Sequence, residues 1–526
     1  MPNITIDGKP YSVKDGITII EAIDQMNTDL PRYCYHPGLS IAGNCRICQV
    51  EVEKMPRTVI ACNTRVAEGM VIHTKSQKAK ESQQVVLEFL LANHPLDCPV
   101  CDQSGECKLQ DYYMDYGLYD PKFNDFKVKK TKKAFPVGPT IMLDQERCIL
   151  CSRCVRFGDE ITKTHDFGIF NRGDHSELDI YPGKELNNKY SGNVADICPV
   201  GALTDTDFRF KMRVWYLGSQ DSVCPGCSRG CNIFIQYEKS RPYHLKEERV
   251  MRLKPRENQE VNRWWMCDEG RYAYKSIDHN RIKDIRGEDI GPADWNAALT
   301  KAASWIKHSS KWAALLSPQY TNEELYLMRR VFKDHLKWTN LAFWAPGQEG
   351  TEDDFLLKKD KNPNTLGASR VLGMDTAAGD LTAVIRKAER GELDGLFIFG
   401  HDLAKIYSEE TLKKIRQKVK IIIYEGTNQN ATAAAADLVL PGASYAEKDG
   451  TFTNLDGRVQ RIRKALEPMA NSKPAWQMLW ELGSLLGIHI AYTRAEDVFK
   501  DLVKDDEAFQ GMDYKKIGNQ GLMLNC

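Results

Sequence analysis

Hydrophobic and polar positions follow two different patterns along the chain, one on either side of about residue 290. Near the N-terminus, Ile4-Thr5-Ile6 and Tyr11-Ser12-Val13 flank Asp7-Gly8. This predicts a hairpin, because Asp-Gly suits the positive φ angles of a type I′ turn. Thr18 and Glu21 have capping-box spacing, and Ile19, Ile20, Ile23 and Met26 follow as a helical stripe. Val50, Val52, Val59 and Val71 lie in later strand-like runs. Hairpin, helix, cysteine loop and strands, in that order over residues 1–75, make a β-grasp unit. A helix is predicted over 79–94, with Val86, Phe89 and Leu90 inward. It should end at His94-Pro95, since the residue before proline avoids helical geometry. Residues 120–140 form a basic, proline-containing connection, and 140–210 a compact cysteine-rich unit. Residues 241–260 are polar and charged, an excursion between Cys231 and Cys267.

Beyond 290 strands and helices alternate. Lys311–Leu316 reads as a strand. A helix then opens on the capping box Thr321…Glu324 and carries Leu325, Met328 and Phe332 on one face. Leu396–Gly400 is a buried-strand signal, followed by a helix over 409–418, a strand over Lys420–Tyr424 and Leu438–Pro441. The alternation implies a parallel sheet in an α/β domain. The Ala431–Ala436 tract reads as helix, and no internal repeat is present.

Length adds that about three to five domains are expected. Basic and acidic residues balance at 72 each, which argues against a nucleic-acid footprint. No run approaches the roughly 18 apolar residues of a membrane span. The N-terminus lacks the basic and apolar regions of a secretory signal, so a cytoplasmic or matrix-like location is expected. In such a reducing compartment clustered cysteines point to metal rather than disulfides.

Fifteen of the sixteen cysteines fall at or before Cys267, in four groups. The first is Cys34-x10-Cys45-x2-Cys48-x13-Cys62, and the second His94-x3-Cys98-x2-Cys101-x5-Cys107. The third is Cys148-x2-Cys151-x2-Cys154 with Cys198-Pro199, and the fourth Cys224-x2-Cys227-x3-Cys231 with Cys267. With one histidine they fill four sites of four ligands. A C-x2-C-x2-C loop can wrap three irons of a cubane while a distant cysteine closes the fourth, whereas zinc more often sits between two C-x2-C pairs. Here 43 residues separate Cys154 from Cys198 and no second such run exists, so Cys198 is assigned to the same site. The first group departs from plant-type C-x4-C-x2-C spacing but keeps its C-x2-C pair, which leans toward a [2Fe–2S] cluster. In the second group chemistry alone leaves Asp97, Asp102 or water as rivals to His94. Cys526 lies outside every group and is expected to be a mobile tail.

These groups resemble the large iron–sulfur subunit of respiratory complex I, NADH:quinone oxidoreductase. The resemblance rests on Gly43-Asn44-Cys45-Arg46-Ile47-Cys48, the run His94–Cys107, CILCSRCVRF from Cys148 to Phe157, and the run Gly192–Thr204. It covers about the first 275 residues and implies one [2Fe–2S] and two [4Fe–4S] clusters there, with His94 as a ligand. The Cys224 group resembles the extra [4Fe–4S] site of some bacterial members and of molybdopterin oxidoreductases. The C-terminal part resembles a truncated molybdopterin oxidoreductase through Glu447, Gly450, Thr451, Asn454, Gly457, Arg458 and Gln460.

The resemblance implies a multidomain α+β and α/β chain. Its expected domains are a β-grasp [2Fe–2S] ferredoxin domain (1–78), a [4Fe–4S] domain with one histidine ligand (79–118) and a CxxCxxC [4Fe–4S] domain (119–217). An extra [4Fe–4S] domain (218–275) and a molybdopterin-oxidoreductase-like domain without pterin (276–526) follow. No GxGxxG or P-loop occurs, so FMN and NAD are expected on partners rather than here. The implied partners are an FMN- and NADH-binding subunit, a small [2Fe–2S] subunit, [4Fe–4S] subunits leading to the quinone site and, indirectly, the membrane arm. By the family's order the [2Fe–2S] cluster receives electrons first, then the Cys148 cluster, then the His94 cluster, with the Cys224 cluster off the line. The chain would sit peripherally on the cytoplasmic side of a bacterial inner membrane, with no complete active site of its own. Two rivals are a cluster-carrying subunit of a soluble NAD-linked hydrogenase or formate dehydrogenase, and a non-redox zinc scaffold.

Overall fold

The computed structural model describes every residue except 27, 118, 119, 121, 124, 240–247, 346–348, 490 and 526. The chain divides into two units, Met1–Tyr216 and Leu217–Cys526. Cys526 and residues 241–247 of the polar excursion lie outside the described residues.

The first unit opens with the hairpin β1 (Asn3–Ile6) and β2 (Lys9–Ser12), turning at Asp7 and Gly8 with φ of 49° and 81°. Helix α1 (Ile19–Gln25) has the Thr18/Glu21 capping box and buries Ile19, Ile20, Ala22 and Ile23. Strands β3 (Gln49–Val52), β4 (Val59–Ile60) and β5 (Val71–His73) complete a five-stranded sheet of order β2-β1-β5-β3-β4. The parallel β1–β5 pair beside the α1 crossover is the β-grasp arrangement.

Helix α2 (Gln77–Asn93) forms where expected but turns a different face inward. Ala79, Gln83 and Leu87 are buried, whereas Phe89 is 69% exposed and Val86 and Leu90 are half-buried. The buried face runs in steps of four residues and includes Gln83, whose amide donates to the Gln49 carbonyl at 2.9 Å. That bond compensates a buried polar group that hydrophobic periodicity does not count. Lys127 closes the helix by donating to the Leu91 and Ala92 carbonyls. Helix α3 (Lys108–Tyr116) follows. Strands β6 (Ala134–Pro136), β7 (Ile141–Asp144) and β10 (Leu203–Asp205) make a small sheet around the insertion that carries β8 (Phe167–Phe170) and β9 (Glu177–Ile180). Short helices α4 (Arg153–Arg156) and α5 (Asn193–Ile197) lie between these strands.

The second unit begins with the antiparallel sheet β11 (Leu217–Val223), β12 (Asn232–Glu238) and β13 (Val250–Pro255). The polar stretch before Cys267 therefore contains a paired strand. Helix α6 (Asp268–Tyr272) ends this part. A six-stranded sheet follows, in the order β14 (Arg286–Gly287), β19 (Leu438–Pro441), β18 (Ile421–Gly426), β17 (Gly395–Phe399), β15 (Trp312–Leu315), β16 (Asn340–Ala342). All neighbours are parallel except the edge strand β14. Alternate residues feed separate cores: Trp312, Ala314, Phe397 and Phe399 face one side, and Ala313, Leu315, Leu396 and Ile398 the other. Burial on both faces is why these strands read as unbroken apolar runs. The helix opened by Thr321 has its capping box, but every residue from Asn322 to Met328 is buried, not one face alone.

Candidate metal centres

The first site is built at the open end of the β3–β4 hairpin. Cys48 precedes β3, Cys62 follows β4, and the Ala61 amide donates to the Cys48 carbonyl at 2.8 Å. Left-handed backbone at Gly43 and Arg46 curls the loop around Cys45. The Cys34 amide donates to Cys45 Sγ at 3.5 Å. The free thiols hydrogen-bond one another, Cys34 with Cys45 and Cys62, and Cys48 with Cys62. Hydrogen bonds from Cys45 and Cys62 pull the Cys34 thiol far below its ordinary value, and the same bonds push Cys45 and Cys62 upward.

The second site lies in a cavity of about 450 Å³ lined by His94, Cys98, Cys101 and Cys107, with Leu91, Leu109 and Tyr113 around them. His94 caps the end of α2 and Cys107 the start of α3, so two helix termini carry two of the four residues. His94 Nδ1 is buried with no hydrogen-bond partner. Burial, then Lys127 and Arg147, pushes the imidazole down to about 4, so it stays neutral and keeps a lone pair free for a metal. Burial raises Cys101 and takes Cys107 up to about 11. The rival carboxylates are engaged elsewhere. Asp97 pairs with Lys133 at 2.6 Å and Arg147 at 3.0 Å, and Asp102 accepts from the Phe210 amide at 2.8 Å.

The third site is the loop before and within α4, closed by Cys198 at the end of α5. Leu150 and Ser152, flanking Cys151, have φ of 52° and 60°. Left-handed conformation at two non-glycine residues is uncommon and persists only where the surroundings enforce it. The Leu150 amide donates to Cys148 Sγ at 3.4 Å. All four cysteines line one pocket with Ile169, Leu178, Val200 and Leu203. Burial raises each of the four thiols, Cys198 to about 12.

In the fourth site Cys224 follows β11 and Cys231 precedes β12, with the Cys224 amide donating to the Cys231 carbonyl at 2.8 Å. Cys267 caps α6, its sulfur accepting from the Gly270 amide at 3.4 Å. The four cysteines line a pocket with Met266, Leu356 and Leu357. A hairpin of β20 (Gly450–Thr453) and β21 (Arg458–Ile462) braces this loop. Gln460 donates to the Gly230 carbonyl at 3.0 Å, Asn454 to the Arg229 carbonyl at 3.2 Å, and the Leu455 amide to the Ser228 carbonyl at 2.9 Å. Two of the residues that carry the molybdopterin-oxidoreductase resemblance, Asn454 and Gln460, thus serve as supports for a cysteine loop.

All sixteen residues of the four groups are brought together by group. Among the described residues no three His, Cys, Asp or Glu side chains close on a point suited to one metal ion. In three of the groups the side chains line a pocket, and in the first the free thiols lie within hydrogen-bonding reach of one another. The donor set fits iron–sulfur clusters: twelve buried cysteines with Cys45, Cys98 and Cys148 half-buried, amides directed at sulfurs, and one neutral imidazole. Sequence reasoning missed Gly201, whose absent Cβ would lie 2.2 Å from Cys101 Sγ. Its position three residues after Cys198 was the available signal.

Comparison with known proteins bears on this site set. The NADH-ubiquinone oxidoreductase 78 kDa subunit, mitochondrial, of Neurospora crassa is 30% identical, over 97% of this chain and 84% of its own length. The chain belongs to this family. Another member, the NADH-ubiquinone oxidoreductase 75 kDa subunit of Reclinomonas americana, is 28% identical over 95% of this chain and 90% of its own length. The Neurospora alignment runs over 632 positions against 526 residues here, so that protein carries internal segments this chain lacks.

Family descriptions match segment by segment. They are a 2Fe-2S iron-sulfur cluster binding domain at 2–77, the NADH-ubiquinone oxidoreductase-G iron-sulfur binding region at 83–122 and the NADH-quinone oxidoreductase subunit 3 ferredoxin-like domain at 138–204. The molybdopterin oxidoreductase Fe4S4 domain matches 219–279, and molybdopterin oxidoreductase 324–485. The multidomain α+β and α/β class is thereby established. Among solved structures, an NAD+-reducing [NiFe]-hydrogenase chain is 28% identical with a TM-score of 0.37, covering 40% of this chain and 91% of that one.

Proposed function

We propose that this chain is an electron-transfer subunit of the peripheral arm of respiratory NADH:quinone oxidoreductase, carrying single electrons from a flavoprotein partner toward quinone. The observation that carries the reading is that a member of this family gathers its sixteen candidate ligands into four groups, twelve of the fifteen cysteines being buried. Cys34, Cys45, Cys48 and Cys62 would hold a [2Fe–2S] cluster, their four thiols lying within hydrogen-bonding reach of one another. His94, Cys98, Cys101 and Cys107 would hold one [4Fe–4S] cluster, Cys148, Cys151, Cys154 and Cys198 another, and Cys224, Cys227, Cys231 and Cys267 a third. When bound, the clusters supply one-electron redox chemistry.

The chain's own residues exclude water with Leu178, Val200, Met266 and Leu357, and aim amide dipoles at the sulfurs. Such hydrogen bonds to the ligand sulfurs tune a cluster. The partners in this reading are the FMN- and NADH-binding subunit, a small [2Fe–2S] subunit and [4Fe–4S] subunits toward the membrane arm. The domain limits 1–78, 79–118, 119–217, 218–275 and 276–526 belong to the same proposal. Among the described residues no helix is long and apolar enough to cross a membrane, which agrees with a peripheral place.

The test is metal content. Anaerobically purified chain should hold about 14 irons and equal sulfide, from one two-iron and three four-iron clusters. Stoichiometric zinc with little sulfide would overturn the reading.

The α/β part is proposed to bind no pterin. Open α/β sheets take ligands at the carboxyl ends of their strands. At those ends Tyr320 donates to Glu425 at 2.5 Å, and His401 Nε2 donates to the Leu316 carbonyl, all four residues being buried. Mass spectrometry of a denatured extract should find no pterin; a stoichiometric pterin would refute this.

A further inference from the structure

Two arginines of the CILCSRCVRF run join the first cysteine site to the third. Arg156 Nη2 donates to the Cys34 carbonyl at 2.6 Å and to the Cys151 carbonyl at 3.3 Å. A single nitrogen thus touches one ligand residue of each site. Arg156 Nη1 donates to the Ser40 carbonyl, and Nε to Ser152 Oγ at 3.3 Å. Arg153 repeats the pattern one turn earlier. Its Nη2 donates to the Tyr35 carbonyl at 2.5 Å and its Nη1 to the Ile197 carbonyl at 3.0 Å, the residues beside Cys34 and Cys198. Asn44, beside Cys45, adds a bond from its amide to the Leu150 carbonyl at 3.2 Å.

Charge makes this joint more than a hinge. Among the described residues neither arginine forms an ion pair with a carboxylate; the contacts of both are with backbone carbonyls and one hydroxyl. Arg153 Nε is buried without a hydrogen-bond partner. A guanidinium in such a place is costly unless a counter-charge is near. Clusters held by four thiolates are anionic, and each gains a further negative charge on reduction. Two fixed cations between them favour the reduced form of both, and Coulomb energy in a low-dielectric interior makes the effect felt across the joint.

We propose that Arg153 and Arg156 are positioning residues for electron exchange between the first and third sites. They clamp the two ligand loops in register and hold both clusters at raised potential. The proposal rests on the iron–sulfur reading above.

The test uses the full chain with its clusters, in wild type and in the variants Arg153→Gln, Arg156→Gln, Arg153→Lys and Arg156→Lys. Redox titration followed by electron paramagnetic resonance reads each cluster separately. In the glutamine variants the reduced-to-oxidised ratio of the [2Fe–2S] and Cys148 clusters at fixed potential should fall about tenfold, about 59 mV for a one-electron couple. The His94 and Cys224 clusters should keep their midpoints. The lysine variants retain the charge and should keep all midpoints near wild type. Their shorter, single-headed donor breaks the shared bridge, so freeze-quenched exchange between the two sites should slow.

Wild-type chain without cluster signals would sink the functional reading itself. Wild type with all signals and glutamine variants with unmoved midpoints would sink the arginine proposal alone. If the glutamine variants do not assemble, the lysine variants decide, and an unchanged exchange rate in them overturns the clamp.

Discussion

His94→Ala abolishes or converts one cubane signal, whereas His94→Cys keeps that cluster and lowers its midpoint. The expectation follows from charge. Imidazole is a neutral ligand and thiolate an anionic one, so the histidine-ligated cluster bears one negative charge fewer and accepts an electron more readily. In Rieske centres two such replacements raise the potential by hundreds of millivolts. One replacement in a cubane should count for less, on the order of 100 mV, and hydrogen bonds to the sulfurs act on the same quantity. Three observations point to His94 rather than a neighbour. Its Nδ1 is buried and without a partner, its ring is held neutral, and it lines the cavity of the three cysteines. Asp97 and Asp102 already have partners. The alanine variant leaves an iron with water or nothing. Redox titration with electron paramagnetic resonance on wild type and both variants settles the matter. Signals and midpoints all unchanged in His94→Ala would remove the residue from the ligand set.

Glu447→Ala should destabilise the second unit by about 3–5 kcal/mol, the range for stranding a buried charge. Glu447 and Arg281 are fully buried and pair at 2.9 Å, while Arg249 meets the other carboxylate oxygen at 2.5 Å. The Ser444 and Met469 amides also donate to this carboxylate. Burial by itself would raise Glu447, yet its two guanidinium partners outweigh that and hold it below the ordinary value. A carboxyl lowered by folding lends stability that is present above its unfolded value and disappears as pH falls through the folded one. The variant should therefore lose part of the wild-type acid limb as well as stability near neutrality. Glu323 and Glu425 act in the opposite sense. Burial raises them to about 7 and about 8, so their contribution fades as pH rises through those values, in wild type and variant alike. Nine of the ten tryptophans lie beyond residue 216, so urea unfolding followed by tryptophan fluorescence reports this unit. A variant with an unchanged midpoint would show that the triad carries no net stability.

What could be read from the sequence was whatever a few neighbouring residues determine. The Asp7-Gly8 turn, the capping boxes at Thr18 and Thr321, and the strand–helix alternation after residue 290 each depend on contacts within about one helical turn or one hairpin. The cysteine groups were legible for the same reason: spacings of two or three residues within a loop constrain what one loop can wrap. His94 needed the resemblance to raise it above Asp97, and the structure supplied the missing physical reason by engaging that aspartate with Lys133 and Arg147.

Tertiary structure decided the rest. Helix α2 turned Gln83 inward, where its amide meets a carbonyl on β3, and Phe89 outward, and no periodicity within the helix encodes that contact. Cys101 Sγ packs where Gly201 has no side chain, Arg156 reaches Cys34 across 122 residues, and Arg281 meets Glu447 across 166. Pairs so distant in sequence meet only after the strands have chosen their register. Local spacing therefore determined which residues could bind metal, while the folded chain determined which charges and backbone groups surround them.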